Sequence, residues 1–333
     1  MSTDQIKDKL RRHIAQENVQ FCKAPGRINL IGEHTDYNGG LVLPGAIDRY
    51  MYFALAPNNT NQINITAIDK AETATIEVGN YNRSKIEWAN YFIGNLMILQ
   101  SQGYHCTGFD GAFYSDIPIG AGLSSSSAME VGFIKSVSEL FGFELSGWDI
   151  VHTSHRSNHE FLGIQGGFLD QFSSTFGIKE SVLLMDCALK SHQVIKADLE
   201  DYTFLLINTE VTHNHLTSGY NDRVRECQQA LSSIQQRFPE VSSLSGIRHV
   251  NQLTDVRFDD SIIENRATYI IEENQRVRHF VEALAQQDYQ RCGELLYRSH
   301  NGLSELYEVS CTELDYLVEL LYCLLYTSPS PRD

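Results

Sequence analysis

The stretch PIGAGLSSSSAMEV, residues 118–131, constrains this chain more than any other. It follows the strand-like segment GFDGAFYSDIP and runs into SSAMEVGFIKSVSELFG, an apolar helix ending near Gly142. A strand, a Gly/Ser turn and a helix start must therefore lie in direct succession. The free N–H groups of a first helical turn and about half a positive charge of macrodipole make such a junction an anion site that needs no lysine. Gly120 and Gly122 let the backbone come close to an oxygen, and the hydroxyls of Ser124, Ser125 and Ser126 can donate to phosphate or ligate Mg²⁺. Neither GxxxxGK[ST] nor GxGxxG fits, since no lysine follows and the third glycine position is Ser125. On these residues alone, a phosphate cradle and a turn that only caps a helix both stand.

Around this junction the order of elements is mixed. A polar N-terminal helix precedes a short strand, VQFCKA (19–24), and then a long Gly/Asn/Pro-rich passage. MYFALAP, NQINITAI and TATIEV read as strands, and EWANYFIGNLMILQSQG as a helix capped at Gly103. A helix over GWDIVHTSHRSNHEFLG leads to IQGGFLDQFSSTFG; strands at SVLLMDC and YTFLLINT and helical stretches over 217–236 and 260–300 follow. Strand and helix do not alternate regularly, which favours an α+β architecture over a doubly wound sheet. A break near 178–190 divides the chain into 1–180 and 181–322. Residues 323–333, CLLYTSPSPRD, break the helical pattern and read as a non-native tail outside the fold.

Composition excludes several classes. A formal charge of −16 opposes a nucleic-acid binder, which needs a basic face to release counterions. Seven scattered cysteines without a CxxC pair point to reduced thiols and a cytoplasmic protein rather than a disulfide framework or zinc site. No run approaches a spanning helix, so no membrane partner is expected. His152, His155 and His159 lie within two turns of one predicted helix, but no paired carboxylate makes them a metal set.

The second constellation is APGRINLIGEHTDYNGG. Arg27, Glu33, His34 and Asp36 stand within ten residues of turn-prone chain, too polar for a core strand. Together they offer the directional donors and acceptors that a polyhydroxylated ligand needs. GRINLIGEHTDYNGGLVLP resembles the signature of the galactokinases, and PIGAGLSSSSAMEV the second motif of their superfamily, the GHMP kinases. GGFLDQFSSTFG is similar to the family segment that carries the catalytic aspartate, and NHLTSGYNDRVREC (214–227) to the one with a sugar-contacting tyrosine. The resemblance runs from about residue 19 to 322.

It implies the two-domain α+β GHMP fold, with a ribosomal-protein-S5-like N-terminal domain, a ferredoxin-like C-terminal domain and the active site between them. The implied reaction is phosphoryl transfer from MgATP to the anomeric hydroxyl of galactose. By the matching positions, Asp170 is the base and Arg27 the cation that holds it ionised and offsets charge on the moving phosphoryl. Glu33, His34, Asp36, Gly167 and Tyr220 bind the sugar. Gly120, Ala121, Gly122, Leu123, Ser124, Ser125 and Ser126 cradle ATP, and Ser126 helps hold Mg²⁺. A monomer whose partners are the sugar and ATP is expected.

Three departures qualify that expectation. The family glutamate twelve residues before the aspartate, a Mg²⁺ ligand, is Asn158 here, a weaker ligand for a hard cation; Mg²⁺ is then held largely by phosphates and water. The usual GIMDQ reads GFLDQ, with Gly166 where many members carry Cys or Ser, which bears on sugar preference and leaves N-acetylgalactosamine as an alternative acceptor. The last Gly-rich family motif is missing, so the second domain is expected to be incomplete; losing even 400 Å² of apolar burial costs about 10 kcal/mol. A sugar sensor that binds both ligands without turnover is the alternative from another class. Asn158 favours it; Asp170 and Arg27 oppose it. A GHMP kinase for a non-sugar alcohol such as mevalonate or homoserine fits the GEHTDYNGG cluster poorly.

Overall fold

The computed structural model describes residues 1–118, 120–197, 205–209, 211 and 216–327. The chain forms two compact units, one of residues 1–28 and 44–182, the other of 29–43 and 183–333. The excursion over Asn29–Leu43, which the sequence reading kept within 1–180, packs with the second unit. The tail at 328–333 and part of the tyrosine-bearing segment, 212–215, lie outside the described residues.

The first unit is built on a five-stranded sheet of order β1-β3-β6-β4-β5, from β1 (Gln20–Asn29), β3 (Pro44–Pro57), β4 (Gln62–Ala67), β5 (Glu72–Glu77) and β6 (Phe109–Ser115). β3 pairs antiparallel with β6 and β4 with β5, whereas β4 and β6 are parallel. The alternation in β3 assigns each face. Met51, Phe53 and Leu55 enter the main core, while Tyr52, Ala54 and Ala56 meet Ile6 and Leu10 of helix α1 (Thr3–Arg11). Residues 51–56 are thus all buried, as in a strand covered on both faces.

The main core is aromatic. Phe92 of α2 (Ala89–Ser101) stacks on Phe133 of α3 (Ser125–Phe141) at 4.3 Å between centroids, and Phe53 and Phe113 join them from the sheet. Gly142, at φ +69°, ends α3 in the left-handed conformation that glycine adopts without strain. Helices α4 (Gly147–Arg156), a π-helical turn over Ser157–Leu162 and α5 (Leu169–Phe176) complete the unit.

In the second unit the excursion folds back on itself. Leu30 N–H donates to Leu43 O at 3.1 Å and Leu43 N–H to Ile31 O at 3.0 Å. Its strand β2 (Leu41–Val42) pairs antiparallel with β7 (Ser181–Asp186), and β8 (Ser191–Lys196) extends this sheet. The strand expected at YTFLLINT falls partly outside the described residues, and 205–209 form none. Four helices follow: α6 (Leu216–Arg237), α7 (Ser261–Ala285), α8 (Tyr289–Glu305) and α9 (Thr312–Thr327). The stretch read as helical over 260–300 is two helices, broken where Asp288 caps α8.

One buried carboxylate ties the excursion to α7. Glu273, fully buried, accepts from Gly32 N–H at 2.8 Å and from Ser299 Oγ at 2.7 Å, and pairs with Arg276 at 2.6 Å. Gly32 sits at φ +98°, and a Cβ there would lie 2.5 Å from Leu41 O. Gly32→Ala adds left-handed strain and a backbone clash beside a buried charge. It is expected to destabilise the second unit by about 3 kcal/mol, as measured by urea unfolding.

Candidate active site

In the first unit, Arg27 stands where β1 meets the Gly/Ser loop. Its backbone N–H donates to Leu123 O at 3.1 Å, and its Nη1 donates to Gly122 O at 2.6 Å. The approach depends on Gly26, where a Cβ would lie 2.8 Å from Leu123 O. The same guanidinium holds Asp170, with Nε at 2.8 Å and Nη2 at 2.7 Å from Oδ1. Asp170 occupies the first turn of α5, where the macrodipole favours a negative charge. Ser174 Oγ, one turn on, donates to Pro25 O at 2.8 Å and fastens that helix to β1. Residues 143 positions apart thus meet in a two-point contact, with Asp170 Oδ2 outside it.

The loop has the form of an anion cradle. Gly120, Gly122 and Ser124 have φ of +74°, +70° and +56°. Ala128 N–H makes the first helical bond, to Ser124 O at 3.0 Å, so the N–H groups of Ser125, Ser126 and Ser127 precede the α3 ladder. Ser124 Oγ is shielded and has no partner among the described residues, as suits a hydroxyl awaiting a ligand oxygen. Ser126 is exposed and Ala121 and Ser125 partly so, whereas Leu123 turns its side chain into the core.

Asn158 lies against Glu130 of α3. It is buried, and its Nδ2 donates to Glu130 Oε2 at 3.1 Å. Ser154, Asn95 and Gln171 also lie near that carboxyl and favour its charged form, but burial outweighs them and pushes Glu130 up to about 8. Glu130 Oε1 and Asn158 Oδ1 have no well-directed partner among the described residues. With Asn158 buried against Glu130, Ser126 is the remaining oxygen of the expected ligand pair.

His155 and His159 meet instead at a carbonyl. Their Nε2 atoms lie 3.1 and 2.8 Å from Gly166 O, with the rings 4.1 Å apart. Two imidazoles therefore hold the Gly166 carbonyl in the segment that leads into Asp170.

Of the candidate sugar residues, Glu33, His34, Asp36 and Tyr220 belong to the second unit, and Gly167 to the first. His34, at φ +62°, bonds through Nδ1 to Tyr37 Oη at 2.9 Å, and Tyr37 Oη meets Tyr307 Oη at 2.8 Å. Tyr307 Oη continues to the Cys227 thiol at 3.1 Å. The rings of His34 and Tyr220 are 5.6 Å apart, and those of Tyr37 and Tyr220 5.3 Å. Tyr269 Oη donates to Glu33 O at 3.0 Å, Asn38 Nδ2 to His34 O at 2.9 Å, and Thr35 Oγ1 to Gly32 O and Leu41 O. Asp36 opens a short helical turn over Asp36–Asn38. Tyr37, Tyr307 and Arg223 were not foreseen; a Tyr three residues after His34 was the available signal for the first.

Burial, and then the Arg223 guanidinium, push the His34 imidazole down to about 4, so the ring is neutral at pH 7. Below its unfolded value near 6.5, the unfolded chain takes up a proton that the folded ring refuses. The His34 contribution to stability is complete above that value and is lost as pH falls towards 4. Glu130 has the opposite sign: its folded pKa lies above the unfolded value, so its contribution falls as pH rises from about 4.5 through 8. Glu130→Gln is expected to raise stability at pH 8 by about 1–3 kcal/mol and to leave it nearly unchanged at pH 4.5, as read from urea midpoints at the two pH values.

Two family models match: the galactokinase galactose-binding signature over residues 9–57 and the N-terminal domain of GHMP kinases over 90–178. The galactokinase of Thermosipho africanus is 37% identical over 308 residues, 90% of this chain and 81% of its own. That of Exiguobacterium sibiricum is 34% identical over 322 residues, covering 95% and 82%. The crystal structure of Lactococcus lactis galactokinase complexed with galactose superposes with a TM-score of 0.90 at 29% identity, over 95% of this chain and 83% of that one. A mevalonate kinase shares the fold at a TM-score of 0.60 and 18% identity. The fold is the two-domain α+β GHMP kinase fold, and the chain belongs to the galactokinase family.

Proposed function

We propose that the protein is a galactokinase that transfers the γ-phosphoryl group of MgATP to the C1 hydroxyl of galactose. The observation that carries this reading is the Arg27–Asp170 pair beside the Gly/Ser loop. Asp170 accepts the C1 proton as the sugar oxygen attacks, and the leaving group is ADP. Arg27 orients the carboxylate through its two contacts to Oδ1 and offsets charge as the phosphoryl moves; phosphoryl transfer asks mainly for positioning and electrostatics. The free amides of Ser125–Ser127 and the hydroxyls of Ser124 and Ser126 receive phosphate oxygens, with Ala121 and the glycines 120 and 122 shaping the approach. Mg²⁺ arrives with ATP as part of the substrate, bound mainly by phosphates and water, with Ser126 as the protein oxygen nearest in role.

Glu33, His34, Asp36 and Tyr220 take the sugar hydroxyls, with Gly167 allowing close backbone approach. A site that hydrogen-bonds specific hydroxyls rejects an epimer because its own polar groups are then left unpaired. We place the protein in the cytoplasm, a reading supported by six cysteines among the described residues that are free thiols, and take it to be a monomer on family resemblance alone. No helix among the described residues is long and apolar enough to cross a membrane.

Asp170→Asn keeps the shape and removes the base. It is expected to lower kcat by a factor of about 10²–10⁴ while galactose and ATP still bind, measured by ADP release and calorimetry. Unchanged turnover would remove Asp170 from the chemistry. Because neutral His34 is the form proposed to bind sugar, the galactose affinity should stay level from pH 8 to about 5 and weaken as pH nears 4; calorimetry across that range checks it.

A further inference from the structure

The second unit holds a cavity of about 400 Å³ between the short helical turns at Leu244–Gly246 and Val250–Leu253 and the middle of α7. It is lined by Arg248, His249, Arg278 and His279, with Ser245 and Asn274 also in its wall. No carboxylate lines it, in a chain of formal charge −16. Glu272 and Glu282 of the same helix line neighbouring clefts and not this one. Both arginines are exposed, and neither takes part in an ion pair among the described residues.

Further donors converge there. Asn274 is 5% exposed, and its Oδ1 accepts from Leu41 N–H at 2.8 Å. With the oxygen engaged, the amide has its NH₂ left to offer. Ser245 Oγ is shielded and lacks a partner among the described residues. Gln275 Nε2 donates to Arg248 O and, at 3.1 Å, to His249 Nδ1, which leaves the His249 proton on Nε2 as a donor. The wall therefore presents guanidinium, imidazole, amide and hydroxyl donors without an anionic acceptor. A doubly charged tetrahedral oxyanion is the ligand such a set recognises.

We infer that this cavity is a second anion site, which takes a small phosphate monoester and is distinct from the Gly/Ser loop. Its volume lies in the range of small-molecule sites rather than of a polymer groove. It also backs onto the excursion: Asn274 bonds to Leu41, and a Cβ at Gly40 would lie 2.8 Å from Ser245 Oγ. The inference stands on the cavity alone and does not depend on the proposed sugar kinase activity.

Equilibrium dialysis of the whole chain against labelled inorganic phosphate tests it, comparing wild type with Arg248→Ser/Arg278→Ser and with Arg248→Lys/Arg278→Lys. Both arginines are exposed, so the folded state should survive, and urea unfolding midpoints monitor it independently. The serine variant is expected to lose one equivalent of bound phosphate, its affinity falling by at least about tenfold, while the lysine variant keeps it. Phosphate binding that is absent in wild type, or unchanged in the serine variant, would overturn the inference. Neither result bears on turnover, which Asp170→Asn tests separately.

Discussion

Arg27 joins three pieces of chain that sequence places far apart. From the end of β1 it reaches the Gly122 carbonyl in the phosphate loop and the Asp170 carboxylate on α5. Both Nε and Nη2 converge on Oδ1, a planar geometry that a lysine could not reproduce. The rest of the first unit supports that contact. Gly26 permits the close pass under Leu123, Ser174 fastens α5 to Pro25, and the His155–His159 pair holds the Gly166 carbonyl in the segment before Asp170. Helix and loop are thus oriented by the group that would also offset phosphoryl charge.

Two buried carboxylates show how differently the fold treats a charge. Glu273 is fully buried but receives a backbone amide, a hydroxyl and a guanidinium, so the second unit gains a fixed point for its excursion. Glu130 is buried among neutral amides and hydroxyls, and its pKa climbs accordingly. Asn158 explains part of this environment. A glutamate at position 158, as the family pattern has it, would set a second carboxyl against Glu130, whereas an asparagine donates to it. The asparagine thus suits its buried neighbour.

The local signals were legible. The Gly/Ser loop, the start of α3 and its stop at Gly142 follow from glycine and serine placement, and the pairing of Arg27 with Asp170 followed from motif resemblance. What sequence concealed was non-local. The passage 29–43 reads as a polar loop because its middle, GEHTDYNGG, is turn-prone and polar, yet Leu41 and Val42 find partners in β7 more than 140 residues later. Tyr307 joins the His34 surroundings from the segment after α8, with no pattern near it to announce it, and Arg223 from α6, three residues beyond Tyr220. The helix over 260–300 broke at Asp288 because a capping side chain outweighed continuing apolar periodicity.

The central claim is that the protein performs chemistry on its two ligands and does more than bind them. Phosphorus NMR of the wild-type chain with MgATP and galactose tests it most directly, because the anomeric phosphate has its own resonance. The expected result is a growing galactose 1-phosphate signal matched by ADP, absent with glucose. Binding of both ligands without that signal would contradict the claim and identify a sugar sensor.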